Sequence, residues 1–237
     1  MRDVSFELDA GETLALIGPS GCGKTTTLKL LNRLVEPDSG EVYLSGHAAH
    51  AVDAHIWRRR MGYVIQSAGL FPHLTLEENV SVTPKLLGWS QGDIVKQAGR
   101  LFDLIGLPLG EFGMRYPSAL SGGQAQRVGL ARALAGNPEI ILMDEPFSAL
   151  DAMTKDALID DVARLRSEIG FASVIVTHDF AEALRFADRI AVMDDRRIVQ
   201  SGPASALMSR PANGTVAKLL EAPKRTAAAV SAAFDGA

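Results

Sequence analysis

The residues best suited to chemistry lie in one octet, Gly18-Pro19-Ser20-Gly21-Cys22-Gly23-Lys24-Thr25, which fits the G-x-x-x-x-G-K-[ST] spacing of a phosphate-binding loop. Its glycines let the backbone curl until successive N–H groups point inward, and the positive end of a following helix adds to the field. The octet is therefore an anion cradle. Lys24 brings a point charge to the β- and γ-phosphates of a nucleotide, the Thr25 hydroxyl takes one position on Mg²⁺, and Thr26 completes the set expected to touch the nucleotide. Cys22 occupies a variable place in the loop and reads as a small filler. A second constellation is Glu139-Ile140-Ile141-Leu142-Met143-Asp144-Glu145. Asp144 suits a carboxylate that orients Mg²⁺ through water, and Glu145 beside it suits a general base for an attacking water. An acidic helix cap does not explain two carboxylates after the most apolar run in the chain.

Elements must place these residues together. Thr13 to Ile17 is a short apolar run that ends at Gly18, so it reads as a buried strand feeding the loop. Glu139–Met143, Ser173–Thr177 and Ile190–Met193 read the same way, and Thr25–Leu34, Met153–Ile169 and Ala181–Ala187 have helical character. Strands alternating with helices predict an α/β fold with a mostly parallel sheet covered on both faces, and ligands at the strands' carboxyl ends. Gly40–Leu44 and Arg59–Ile65 look like strands of a smaller antiparallel layer. The expected organisation is one domain over 1–237. In it 1–73 and 136–205 form the α/β core with the antiparallel layer, 74–135 form an inserted helical subdomain, and 206–237 form a helical or Ala-rich tail.

Composition narrows the functions. The 237 residues are 47% apolar and 22% charged, and no apolar run approaches the ~20 residues of a membrane span. The first residues lack the pattern of a cleaved leader, and the single cysteine has no intrachain disulfide partner, so a cytosolic chain is expected. A net charge of −4 offers no broad attraction to nucleic acid, and Arg58-Arg59-Arg60 reads as a solvated face. His47, His50, His55 and His73 show no zinc or copper spacing.

Leu120-Ser121-Gly122-Gly123-Gln124 resembles the signature sequence of ABC ATPases. Gln66 falls in the Q-loop position of that family, Ser148-Ala149-Leu150-Asp151 in the D-loop position, and Thr177-His178-Asp179 in the switch-histidine position. The resemblance implies a RecA-like P-loop NTPase core with ATP and Mg²⁺. It makes His178 a partner of Glu145 at the γ-phosphate, and Gln66 a sensor of Mg²⁺ that links the core to the helical subdomain. Ser121 and the N–H groups around Gly122 and Gly123 precede a helix and so form a second anion site. In the family, that site, with Gln124 and Asp151, serves ATP bound by the opposite subunit, so a homodimer or paired ATPase subunit is implied. Gly69-Leu70-Phe71-Pro72-His73 would line the groove for a permease coupling helix, although Phe71 could instead be ordinary core.

Within the family, Arg60-Met61-Gly62-Tyr63-Val64-Ile65-Gln66, Leu31-Asn32-Arg33-Leu34 and Arg210-Pro211-Ala212-Asn213 look like the glycine betaine, carnitine and choline importer ATPases. The implied function is ATP-driven uptake of a small osmoprotectant, from the inner face of the cell membrane, beneath permease subunits and indirectly a substrate-binding protein. An ATPase serving another small solute, or one that moves nothing, is the alternative. Two departures from the family accompany this. No C-terminal CBS pair is expected. The aromatic that stacks on adenine would fall upstream of Met1, so either the start lies upstream or stacking is weaker or supplied elsewhere.

Overall fold

The computed structural model describes residues 1–221; the Ala-rich stretch from Pro223 lies outside them. In chain order the elements are β1 (Thr13–Ile17), α1 (Lys24–Leu31), β2 (Tyr43–Leu44), β3 (His47–Ala48), α2 (Ala54–Arg59), β4 (Met61–Val64), α3 (Leu76–Leu86), α4 (Gln91–Leu104), α5 (Leu109–Phe112) and α6 (Gly122–Leu134). There follow β5 (Ile140–Asp144), α7 (Ala152–Ile169), β6 (Ala172–Val176), α8 (Phe180–Phe186), β7 (Arg189–Asp194), β8 (Arg197–Gly202) and α9 (Ala204–Ser209). Among the described residues no helix is long and apolar enough to cross a membrane.

The main sheet has the order β4-β5-β6-β1-β7-β8, parallel except for β8. Every residue of β1 and β6 is buried, as parallel strands covered on both faces require. Alternate side chains enter two cores. Ala15, Ile17, Ile141, Met143 and Ile175 pack with apolar residues of α3, α4, α6, α7 and α8, whereas Leu14, Leu16, Leu142, Val174 and Val176 pack with Leu28 of α1. The second core is flanked by Val4, Phe6 and Leu8 of the N-terminal segment.

One expected strand changes sheets. The segment from Arg59 to Ile65 is not part of an antiparallel layer; its β4 is the edge of the main sheet, parallel to β5 with Met61 opposite Ile140. The reason is a crossover: α3 to α6 carry the chain away from β4 and back over it, and only a parallel neighbour closes that path. Close packing of α6 on the strand fixes it there, since a Cβ on Gly62 would lie 2.6 Å from the Ala133 carbonyl oxygen. The antiparallel pair is smaller than expected, Tyr43–Leu44 against His47–Ala48. A further strand, β8, returns from β7 through Asp195 and Arg196, both at positive φ, in the manner of a tight hairpin turn. Its charged turn, Asp194-Asp195-Arg196-Arg197, lacks the glycine that marks such turns in a sequence.

Candidate functional site

Three strand ends build the site. The loop after β1 begins at Gly18 with φ +152°, where a Cβ would fall 2.1 Å from the Met193 carbonyl oxygen of β7. Lys24, at the start of α1, is 7% exposed, and its Nζ donates to the carbonyls of Gly18 at 2.8 Å and Pro19 at 3.1 Å. Its charge is thus held inside the loop that the sequence assigns to phosphate. Thr25 Oγ1 donates to Asp144 Oδ1 at 2.9 Å, joining the loop to the end of β5.

Burial raises the Asp144 pKa above the usual carboxylate value; the Thr25 hydrogen bond opposes the rise and the Glu145 charge adds to it. Burial, with Asp144 second, pushes the Tyr63 phenol up to about 12. A poorly solvated carboxylate beside a hydroxyl is a hard-oxygen pair suited to Mg²⁺, so Thr25 and Asp144 fit the metal they were expected to hold. The amide nitrogen of Gln66, the third expected contact, donates to Ser148 Oγ at 2.9 Å, and Ser148 Oγ donates on to the Glu145 carbonyl at 3.0 Å.

Glu145 stands in the left-handed region at φ +47°, unusual for a residue with a side chain, and its N–H donates to Val176 O at 2.9 Å. That bond hangs the residue from the end of β6. His178, two residues past that strand end, brings Nδ1 to 3.4 Å from Glu145 Oε2 and stays 62% exposed in its side chain. The strained backbone aims the carboxylate at the imidazole rather than into solvent.

The signature residues sit elsewhere. Ser121 caps α6: its hydroxyl accepts from Gln124 N at 3.3 Å while Gln124 Oε1 accepts from Ser121 N at 3.0 Å. This capping box uses Ser121 Oγ and Gln124 Oε1 as acceptors, which leaves the Ser121 O–H and the Gln124 amide NH2 as donors, beside the Gly122 and Gly123 N–H groups that have no intrahelical acceptor. Asp151 caps α7, accepting from Thr154 N at 3.1 Å. Ser121, Gly123 and Gln124 line a cleft of about 280 Å³ with Met153 and Thr154 of α7. Among the described residues no hydrogen bond or ion pair joins this group to Lys24, Thr25, Asp144 or His178.

Three buried or half-buried polar side chains, none singled out in the sequence, shape the segment from Gln66 to His73. Gln126 of α6 donates to the carbonyls of Ile65, Gln66 and Pro146. Arg132 donates to Ala68 and Gly69. Asn79, fully buried on α3, accepts from Phe71 N at 2.7 Å and donates to the carbonyls of Phe71, Leu74 and Thr75. Phe71 itself is 41% exposed, and Arg132 lies 5.6 Å from its ring. Helical phase was the available signal: Leu76, Asn79 and Val80 share one face, so Asn79 had to be buried.

The family model described as ABC transporter matches residues 1–148, and the chain belongs to that family. It is 47% identical, over 91% of its length and 54% of the relative's, to the carnitine transport ATP-binding protein OpuCA of Listeria monocytogenes. It is 46% identical to the glycine betaine uptake system ATP-binding protein YehX of Escherichia coli, over 91% of this chain and 70% of that one. The chain spans little more than half the length of several of the curated relatives it matches. Among solved structures it resembles the ATP-binding cassette MJ0796, a dimer described as a post-hydrolysis state bound to ADP and Pi. The TM-score is 0.74 and the identity 35%, over 84% of this chain and 88% of that one.

Proposed function

We propose that the chain is the ATP-binding and ATP-hydrolysing subunit of an ABC importer that drives uptake of a small solute, with osmoprotectants such as glycine betaine, choline or carnitine as the class it serves. The observation that carries this reading is the meeting, at the carboxyl ends of the adjacent strands β1, β5 and β6, of the phosphate loop, the Thr25–Asp144 pair and the Glu145–His178 pair. The names of the similar proteins support the solute class.

In this reading the N–H groups of Gly18 to Thr26 and the Lys24 ammonium receive the triphosphate, Lys24 exchanging its carbonyl acceptors for phosphate oxygens. Thr25, Asp144 and Gln66 would hold Mg²⁺, which when bound would neutralise phosphate charge. Glu145 takes the proton of the attacking water, and His178 steadies the water and the charge that develops on the γ-phosphate. The Ser121 hydroxyl, the Gln124 amide and the N–H groups of Gly122 and Gly123 contact ATP held by a second copy, alongside Asp151. Neither chain then holds a complete site alone. The Gln66 to His73 segment meets the permease, so the subunit works on the cytoplasmic face of the membrane.

Glu145→Gln is expected to leave ATP binding intact, to hold a dimer that depends on MgATP, and to lower turnover at least ~100-fold. Undiminished hydrolysis would remove Glu145 from its role. In cells deleted for other osmolyte importers and grown at high osmolarity, uptake of labelled glycine betaine, choline or carnitine is expected with the wild-type chain and not with Glu145→Gln. Equal uptake with both would refute the solute class while leaving the ATPase reading to the assay in solution.

A further inference from the structure

His178 is placed almost entirely by its neighbours in the chain. Apart from the 3.4 Å approach to Glu145, its ring is open to solvent, so the backbone on either side must fix where the imidazole stands. Thr177, before it, donates its N–H to Leu16 O at 3.2 Å, and its hydroxyl donates a short hydrogen bond to Glu182 Oε2. Asp179, after it, donates its N–H to that same Thr177 hydroxyl at 3.0 Å and caps α8 by accepting from Ala181 N at 2.8 Å. Both flanks therefore lead to two carboxylates, Glu182 and Asp179.

Those carboxylates share one cation. Lys155 Nζ lies 2.6 Å from Glu182 Oε1 and 2.9 Å from Asp179 Oδ2. Glu182 is 4% exposed, and among the described residues Lys155 is the one cation paired with it. A carboxylate so buried is held in place by a paired cation. Lys155 in turn stands in the first turn of α7, its own N–H donating to the carbonyl of Asp151 at 2.9 Å. The chain of contacts runs from the α7 cap at Asp151 through Lys155 to both sides of His178.

We propose that Lys155 is the positioning residue of His178: by pairing with buried Glu182 and with Asp179 it fixes Thr177 and Asp179, and through them the approach of the imidazole to Glu145. The inference rests on the hydrolytic reading of the Glu145–His178 pair and adds to it a residue outside the site. It also gives the first turn of α7 a lever on the histidine, because a shift of that turn moves Lys155. A purely structural role, neutralising a buried charge, predicts something different: once the charge is removed on both partners, His178 is undisturbed.

The test compares wild type, Lys155→Arg, and the charge-balanced pair Lys155→Met with Glu182→Gln, all as the full chain. The histidine ring resonances are recorded by ¹³C–¹H NMR, His178 being assigned from a His178→Gln variant, and steady-state ATP hydrolysis is measured alongside. The balanced double variant is expected to shift or broaden the His178 resonance and leave the other four histidines unmoved. Its kcat should fall at least about tenfold, with KM for ATP within about threefold, the pattern of a misplaced group acting after binding. Lys155→Arg, which keeps the cation, should return both resonance and kcat to within about threefold of wild type. An unmoved His178 resonance in the double variant, or an unchanged kcat, overturns the proposal. Failure of the hydrolytic reading shows separately, as wild-type turnover that Glu145→Gln does not reduce; the resonance then still decides whether Lys155 positions His178.

Discussion

Glu145, the proposed general base, has an unfavourable backbone. A side chain at φ +47° costs about 1–2 kcal/mol relative to a glycine there, while glycine returns part of that through the greater freedom of the unfolded chain. Glu145→Gly is therefore expected to raise the melting temperature by about 1–3 °C and to abolish hydrolysis, as scanning calorimetry and a phosphate-release assay would read; a fall of more than about 5 °C would show that the carboxylate supports the fold. The strain itself was invisible in the sequence, because a left-handed Glu has no local signature. The loop from Gly18 to Thr25 and the pair Asp144-Glu145 were legible for the opposite reason: a backbone that must wrap an anion, and carboxylates that must end a buried strand, admit few residue types. Gln126 and Arg132 answer to carbonyls of loops far along the chain, so their partners could not be read from spacing, whereas Asn79 answers to the loop just before its own helix.

At the scale of elements, the edge strand β4 is secured by an ion pair. Glu139, at the start of β5, accepts from Arg60 Nε at 2.5 Å, from an Arg60 terminal nitrogen at 2.8 Å and from Ser45 Oγ at 2.6 Å, and Arg60 also donates to Leu44 O. The pair thus ties β4, β5 and the β2–β3 hairpin together. The Arg60 hydrogen bond holds the Glu139 pKa below its ordinary value, burial opposing it. With the folded pKa depressed, the pair stabilises above the ordinary carboxylate pKa and loses its effect as pH falls through the folded value. Arg60→Met should cost about 1 kcal/mol at pH 7, discounted for exposure, and urea unfolding below about pH 4 should show the deficit shrinking. A pH-independent deficit would assign the loss to packing on Trp57, whose ring lies 5.5 Å from the Arg60 guanidinium. In α3, Asn79→Ala strands Phe71 N–H and carbonyls that Asn79 now satisfies. Its expected cost is about 2–3 kcal/mol, with ATP affinity within about threefold of wild type and faster limited proteolysis between Gly69 and His73; a tenfold loss of ATP affinity would mean that this segment serves the nucleotide directly. The main error at this scale, placing β4 in an antiparallel layer, arose because a short apolar strand carries no record of the direction of its neighbour.

Across the whole molecule much of the strand and helix order was legible, since buried parallel strands leave unbroken apolar runs and β1, β5 and β6 are each followed by a helix. The β8 return was not, its strand reading Arg197-Ile198-Val199-Gln200 with a charged turn before it. What the architecture separates is also informative. One set of N–H groups is curled inside the loop after β1, and another stands in the first turn of α6, where Gly122 is exposed and Gly123 is buried against Thr154 of α7. The Gly122 amide, an exposed first-turn donor, should consequently exchange with deuterated solvent at near free-chain rates in the lone subunit. In Glu145→Gln with MgATP the Gly122 amide should slow by at least about tenfold, together with the loop after β1, on the same protein-concentration dependence. Gly122 is in that sense an unlabelled clock for assembly, built into the native backbone, which runs fast when the subunit is alone and stalls when a second copy closes over it.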